Sequence, residues 1–401
     1  MSHIVVIGAG QAGAALVARL RSGGHDGAIT LIGEEAAPPY QRPPLSKDYL
    51  MGKMDKDRLS LRTPEFYQSH GITLRLSAQV TGLDRVAKTI SVGGDCLSYD
   101  MLALTTGSVP RRLPGLIGGD LDGVYTVRTL ADVDAMRAEF APGRRVVIIG
   151  GGYIGLEAAA VAARLGLGVS VVEMAPRILQ RVSAQETSDH FRALHRAQGV
   201  TIIEGTGLER LLGTNLVTAA RLTDGRELPA DFVITGVGIR PATALAELAG
   251  LTVEDGISTD AQGRTSDAHI WSAGDCASFP WRGGRLRLES VQNAIDQAEL
   301  VADNMLGAGR EYHPTPWFWS DQYDCKLQIA GLNTGYDRIV TRGPDGDAVS
   351  FWYFRGDQLL AVDAMNDPRA FMVGKRLLEM GRTADPAAVG NPLTVLKTLL
   401  R

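Results

Sequence analysis

The sequence predicts an α/β protein in which two strand–glycine turn–helix units of one design precede a separate α+β tail. Three observations lead there. A β-branched run, Ile4-Val5-Val6-Ile7, feeds directly into Gly8-Ala9-Gly10-Gln11-Ala12-Gly13. The same grammar returns 142 residues later, where Val146-Val147-Ile148-Ile149 leads into Gly150-Gly151-Gly152-Tyr153-Ile154-Gly155. After His313 the pattern changes to alternating, aromatic-rich segments such as residues 349–354 and 359–362.

The elements follow in order. Behind the first glycine turn come a helical stretch (14–21), a strand (29–32) and two acids, Glu34 and Glu35. Glu34 falls 26 residues after Gly8, where a Rossmann unit places its ribose-binding acid at about 20 residues or slightly more. Residues 99–107 read as a strand ending in Thr105-Thr106-Gly107, with a proline-punctuated link, 110–114, behind it. The second unit continues as a helix (156–165), a strand (169–172) and Glu173. Residues 232–239 form another strand-to-turn exit closed by Pro241, and 290–306 carry helical periodicity. A lone GxGxxG is a weak signal. Two copies, each between a buried strand and a helix and each followed by an acid, are a strong one.

Composition sets the limits. The chain has 401 residues, 45% hydrophobic and 21% charged, enough for two to three domains at about 150 residues each. No apolar run is long enough to cross a bilayer, and the net charge of −4 argues against nucleic-acid binding. The 47 glycines show no Gly-X-Y period and belong to turns and close backbone approaches. Cys96, Cys276 and Cys325 lie far apart, with no CxxC, no CxxxxC and no Cys/His ligand spacing. No redox dithiol and no metal site can be read from them. Low cysteine usage and the absence of a signal-like N-terminus point to the cytoplasm.

The glycine turns define the chemistry. A glycine turn entering a helix sets backbone N–H groups and the positive dipole end against a pyrophosphate. Side chains at Gly8, Gly10 or Gly13 would block the tight turn, the phosphate approach and the helix–strand packing respectively. Gly150, Gly152 and Gly155 repeat that pattern, with Tyr153 and Ile154 opening the helix. Two nucleotide sites imply two cofactors, and the chemistry that needs both is hydride transfer from a nicotinamide to a second redox group, most simply a flavin. Glu173 can accept from the 2′-hydroxyl of NADH and would repel a 2′-phosphate; Met174-Ala175-Pro176 supply no cation, so NADH is favoured over NADPH.

Five blocks carry a resemblance. They are Gly8–Gly13, Tyr40-Gln41-Arg42-Pro43-Pro44-Leu45-Ser46-Lys47, Gly150-Gly151-Gly152-Tyr153-Ile154-Gly155-Leu156-Glu157, Thr265-Ser266 with Trp271-Ser272-Ala273-Gly274-Asp275, and Pro316-Trp317-Phe318-Trp319-Ser320-Asp321-Gln322-Tyr323. In that order they resemble the FAD-dependent, NADH-using ferredoxin reductases, a branch of the pyridine nucleotide-disulfide oxidoreductases with a glutathione-reductase-like fold. The resemblance runs nearly end to end. It implies a discontinuous FAD-binding domain (1–110 and 236–310), an NADH-binding domain (111–235) and a C-terminal α+β domain (311–401).

The resemblance also distributes roles. Gly8, Gly10, Ala12, Gly13, Glu34, Arg42, Lys47, Val80, Thr106, Gly107, Arg128, Gly274, Asp275 and Val291 match FAD contacts. Asp275 would accept from a ribitol hydroxyl, and Val291 would offer its N–H to the flavin pyrimidine edge. Gly150, Gly152, Tyr153, Ile154, Gly155 and Glu173 would hold NADH. In relatives the lysine matching Lys47 approaches the flavin N5 region and pairs with the glutamate matching Glu157. Trp319 would lie near the flavin on the partner's side, with Trp317 and Phe318 in the tail's core.

Without a CxxxxC beside the flavin, electrons would leave directly to a docked acceptor. The resemblance implies a [2Fe–2S] ferredoxin serving a cytochrome P450 or other oxygenase, docked transiently and electrostatically on a monomer or weak dimer. Such ferredoxins are acidic. Residues 311–401 as a whole are not basic, with ten Lys/Arg against eleven Asp/Glu, but Arg369, Lys375, Arg376 and Arg382 face only Glu379 between positions 369 and 382. Two alternatives share these motifs: reduction of a small-molecule acceptor, and an NADH/FAD-binding protein with a redox-signalling role.

Overall fold

The computed structural model describes residues 2–343 and 348–401. The chain divides into two compact units: Met1–Arg42, Asp55–Val109 and Ile239–Pro314 form one, and Pro43–Met54, Pro110–Gly238 and Thr315–Arg401 the other. No helix among the described residues is long and apolar enough to cross a membrane.

The first unit is built on a five-stranded parallel sheet in the order Ile270–Ser272, Met101–Leu104, Ile4–Ile7, Ile29–Ile32, Ile72–Arg75. The central strand is apolar at every position because both its faces are covered. Ile4 and Val6 pack with Leu16, Leu20, Ala298 and Val301 of the helices Gln11–Ser22 and Val291–Met305. Val5 and Ile7 point the other way, into a cluster with Ile90, Val92, Leu102 and Leu251.

The second unit repeats the plan. Its parallel sheet runs Thr201–Glu204, Gly168–Glu173, Arg145–Ile149, Phe232–Thr235, Val124–Thr126. A small antiparallel sheet of Leu208–Gly213, Val217–Leu222 and Glu227–Pro229 closes one face over Val147, Ile149, Val172 and Val233.

The tail, in the same unit, is a five-stranded antiparallel sheet: Trp317–Gln322, Cys325–Gly331, Gln358–Met365, Val349–Arg355, Arg338–Arg342. The helix Pro368–Glu379 lays Ala370, Phe371 and Leu377 on Ala330, Trp352 and Val362. The molecule is therefore α/β with two Rossmann-like sheets and a C-terminal α+β domain.

The sequence places both helix starts about three residues late. The helices begin at Gln11 and Tyr153, inside the glycine motifs, directly after Gly10 and Gly152. The strand expected over residues 99–107 pairs only over Met101–Leu104; the Thr105 N–H makes its last ladder bond to Ile7 O, and the Thr105 hydroxyl then donates to the Gly8 carbonyl of the glycine turn.

Candidate functional site

The two glycine turns have the same geometry. Gly8 (φ +114°) and Gly150 (φ +109°) lie where only glycine is unstrained, and a Cβ on either would overlap a carbonyl oxygen, that of Thr105 or Gly236. A Cβ on Gly13 or Gly155 would overlap the carbonyl of the first glycine of its own turn. The middle glycines differ: no described atom comes within 4 Å of a Cβ built on Gly10 or Gly152. Both are helix N-caps with extended backbone, no capping bond from their own side chains and no acid in the first helical turn. Each turn thus aims uncapped helix N–H groups at open space beside a glycine, the arrangement that fits the phosphates of a dinucleotide.

The acids after the second strands are not equivalent. Gly8 N–H donates to Ile32 O and Gly150 N–H to Val172 O, both at 2.8 Å, so the residue matching Glu173 is Gly33, and Glu34 lies one position beyond. The turns explain why. A Cβ on Gly33 would stand 2.6 Å from Cβ of Ala9, whereas the position matching Ala9 is Gly151, and there the Glu173 carboxylate fits. Glu173 accepts from Gly151 N–H at 2.7 Å and Ala175 N–H at 2.8 Å, while Glu34 is exposed.

Around the first turn, Ala12 is buried, and a Cβ on Gly274 would stand 3.1 Å from its Cβ. Gly274 donates its N–H to Oε1 of Gln297, which is buried with its Nε2 lacking a partner among the described residues. Asp275 accepts from Ser108 Oγ at 2.8 Å. Thr106 donates to Ala242 O, and Gly107 (φ +70°) accepts the Ala242 N–H. Val291 is the first residue of its helix, whose cap, Ser290, accepts from Asn293 N–H. Arg42 pairs with Glu35 at 2.6 Å and donates to Tyr40, and Val80 packs half-buried against the outer cluster. Arg128 and Lys47 belong to the second unit; the Arg128 N–H donates to Asp132 ahead of a capping box.

Around the second turn, Tyr153 stacks on Phe318, with ring centroids 4.7 Å apart at 34°, and its hydroxyl lies 3.1 Å from Ser183 Oγ. Burial pushes its phenol well up. Ile154 is 45% exposed on the outer side of the first helical turn.

Four residues on from Tyr153 stands Glu157, 3% exposed. Its carboxylate accepts from Ser46 Oγ at 2.6 Å and Ser320 Oγ at 2.7 Å, and pairs with Lys47 Nζ at 3.0 Å. Burial raises the Glu157 carboxyl, and the ammonium and two hydroxyls hold that rise back. Lys47 also lies 3.6 Å from the part-exposed Asp321. Lys47, Asp48, Met51, Glu157, Arg164 and Tyr323 are among the residues lining a cleft of about 180 Å³ there.

The tryptophan block works by alternation. Phe318, Ser320 and Gln322 reach Tyr153, Glu157 and His195 in turn. Trp317 packs on Phe371 and stacks on Trp319 at 5.6 Å, and both tryptophans are half-buried. Phe318, expected in the tail core, stands instead against Tyr153 of the glycine turn. Ser46, Ser320 and Asp321 are site residues that the motif reading passes over; the period-two spacing of Phe318, Ser320 and Gln322 was the signal for Ser320. The basic stretch is less available than its count suggests. Lys375 and Arg376 both reach Glu379, and Arg382 donates to the Leu400 and Arg401 carbonyls, leaving Arg369 as its exposed cation with no such partner described. Cys96 is exposed, Cys276 and Cys325 are buried, and all three are free.

Residues 2–298 match the pyridine nucleotide-disulphide oxidoreductase family, and residues 317–400 a reductase C-terminal family. The chain is similar to a ferredoxin–NAD(P)(+) reductase of a Sphingomonas species, 41% identical over 99% of this chain and 97% of that protein. It is equally similar to rhodocoxin reductase of Rhodococcus erythropolis, 41% identical over 96% and 92% of the two chains. Its fold is similar to a chain in the crystal structure of the covalent putidaredoxin reductase–putidaredoxin complex, with a TM-score of 0.96, 39% identity, and 100% and 98% of the chains covered.

Proposed function

The chain belongs to the pyridine nucleotide-disulphide oxidoreductase family, and on that footing we propose that it is a ferredoxin–NAD(+) reductase. It carries electrons from NADH through FAD, one at a time, to a [2Fe–2S] ferredoxin that serves a cytochrome P450 or another oxygenase. The observation that carries this reading is the pair of glycine turns whose middle glycines face open space, in a chain whose three cysteines are all free. FAD, when bound, supplies the conversion of a two-electron hydride into single electrons.

The residues divide the work. Residues 1–110 and 236–310 hold FAD, with Gly8, Gly10, Ala12 and Gly13 at the pyrophosphate, Glu34, Arg42, Val80, Thr106, Gly107, Gly274 and Asp275 along the rest, and Val291 offering a helix N-terminus that favours negative charge. Lys47 and Arg128 are the remaining residues assigned to FAD. Residues 111–235 hold NADH: Gly150, Gly152, Tyr153, Ile154 and Gly155 form its cradle, and Glu173 retains acceptor capacity for a ribose 2′-hydroxyl beyond the two N–H groups it already takes. Glu157 fixes the Lys47 ammonium at a set place; that ammonium and Trp319 are the side chains assigned to the flavin. Residues 311–401 receive the ferredoxin, transiently and by charge, and the protein works in the cytoplasm as a monomer or weak dimer.

The test is a comparison of acceptors. NADH-driven cytochrome c reduction should depend on added [2Fe–2S] ferredoxin. Fast NADH consumption with no protein acceptor would replace this reading with small-molecule reduction.

A further inference from the structure

Glu157 ends a chain of hydrogen bonds whose direction can be worked out link by link. Glu157 faces the Lys47 ammonium at 3.0 Å, and as that ion pair's carboxylate it only accepts, so the Ser320 hydroxyl donates to Glu157 Oε1 at 2.7 Å. The Ser320 oxygen in turn accepts from Gln322 Nε2 at 3.2 Å. An amide that gives its NH2 to Ser320 has only its carbonyl left for its other neighbour, and Nε2 of His195 lies 2.8 Å from that Oε1. Nε2 of His195 must therefore carry a proton. The ring is buried, its two nitrogens face an amide oxygen and a phenol rather than a carboxylate, and burial drives its pKa down, an environment that suits a neutral ring with Nδ1 as acceptor. The Tyr323 hydroxyl, 3.1 Å from Nδ1, donates to it. Every link points the same way, from Tyr323 to Glu157, where Ser46 and Lys47 add their own donors.

Tyr323 is an odd residue for its place. It opens the two-residue turn between Trp317–Gln322 and Cys325–Gly331 with φ at +57°, a region that a bulky side chain enters only at a cost. Glycine or asparagine would turn this hairpin with less strain. The tyrosine instead sets its ring edge-on to His195, centroids 5.1 Å apart, beneath the Arg164 guanidinium.

We propose that His195, with Gln322 and Tyr323, is a positioning residue for the Lys47–Glu157 pair: the chain presents Ser320 proton-first to Glu157 and fixes Glu157 as a carboxylate. This rests on Lys47 and Glu157 being the reductase's working pair, but the direction of the chain can be measured without turnover. The tautomer of His195 and the charge of Glu157 are then tied together, since a neutral side chain at position 157 can donate to Ser320 and let the links reverse. A histidine that only fills the core would take its tautomer from its immediate neighbours and ignore position 157.

The experiment is 15N NMR of the histidine rings in the full-length protein, with His195→Gln identifying the signals. Wild type should show a neutral Nε2–H ring throughout pH 6–8, and Glu157→Gln and Ser320→Ala should each bring in the Nδ1–H form. An Nδ1–H or doubly protonated ring in wild type, or a tautomer indifferent to both substitutions, overturns the proposal. Tyr323→Phe supplies the functional arm. It should slow flavin reduction by NADH several-fold with KM for NADH within twofold, and an unchanged rate counts against positioning. A protein that binds no flavin but shows the tautomer response would defeat the reductase reading and leave the chain of donors standing.

Discussion

Adding one methyl to Gly10 or Gly152 separates the fold from the function it holds. Both residues have extended backbone (φ −97° and −82°) that alanine adopts freely, and a Cβ there meets no described atom within 4 Å. Gly→Ala at a compatible position gains about 0.4–1 kcal/mol through the unfolded chain, and alanine as an N-cap gives a similar amount back, so the melting temperature should hardly move. A phosphate seated at this turn would be pushed outward by the methyl. Losing two hydrogen bonds to a charged phosphate, at about 1.5–3 kcal/mol each, removes about 3–6 kcal/mol, or about 10²- to 10⁴-fold in affinity. Gly10→Ala should therefore purify with little or no flavin. Gly152→Ala should keep its flavin and raise KM for NADH, measured by stopped-flow over a range of NADH concentrations. Gly8→Ala is the contrasting control, expected to destabilise the fold itself because its Cβ overlaps the Thr105 carbonyl at φ +114°. Normal flavin content in Gly10→Ala, together with normal KM in Gly152→Ala, would refute the assignment of the cradles.

Lys47→Ala should slow flavin reduction by NADH, and an unchanged rate removes Lys47 from the mechanism. Glu173→Gln should narrow the preference for NADH over NADPH in kcat/KM; a ratio equal to wild type would show that Glu173 does not read the ribose. Ferredoxin reduction should fall steeply as ionic strength rises from about 0.01 M to about 0.15 M, where the Debye length drops from about 30 Å to about 8 Å, while NADH–ferricyanide activity persists. Salt-insensitive turnover would count against docking by charge. Asp363 is buried among Tyr353, Thr187 and Ser183 hydroxyls with its carboxyl raised to about 6, so the folded state holds its proton more tightly than the unfolded chain. Stability from this group is greatest below pH about 4 and declines as pH rises to about 6. Asp363→Asn should accordingly gain up to about 3 kcal/mol on wild type between pH 4 and 7 in urea denaturation, and parallel pH profiles would contradict the shift.

Much of this architecture was legible because it depends on local rules. Buried parallel strands read as unbroken apolar runs, and glycine turns are forced by backbone contacts that no other residue tolerates. Glu157 and Lys47 stood in recognisable blocks. What was not legible depends on residues distant in sequence meeting through tertiary packing. Ser46 and Ser320 meet on Glu157 although 274 residues separate them, and no single stretch announces that meeting. The offset of Glu34 from Glu173 was hidden for a subtler reason. Spacing along the chain is loose by a residue, whereas the exchange of Ala9 and Gly33 for Gly151 and Glu173 is a matter of volume at one point in space. At the tail the side-chain partners were likewise invisible to a charge count: Lys375 and Arg376 share Glu379, and Arg382 donates to terminal carbonyls.

Anaerobic titration of the purified, as-isolated protein with NADH, followed by visible absorbance and a thiol count, tests the account most directly. The protein should be yellow, with flavin bands that bleach with one equivalent of NADH while the number of free thiols stays at three. A colourless protein, a flavin that NADH leaves oxidised, or a thiol count that rises on reduction would contradict it.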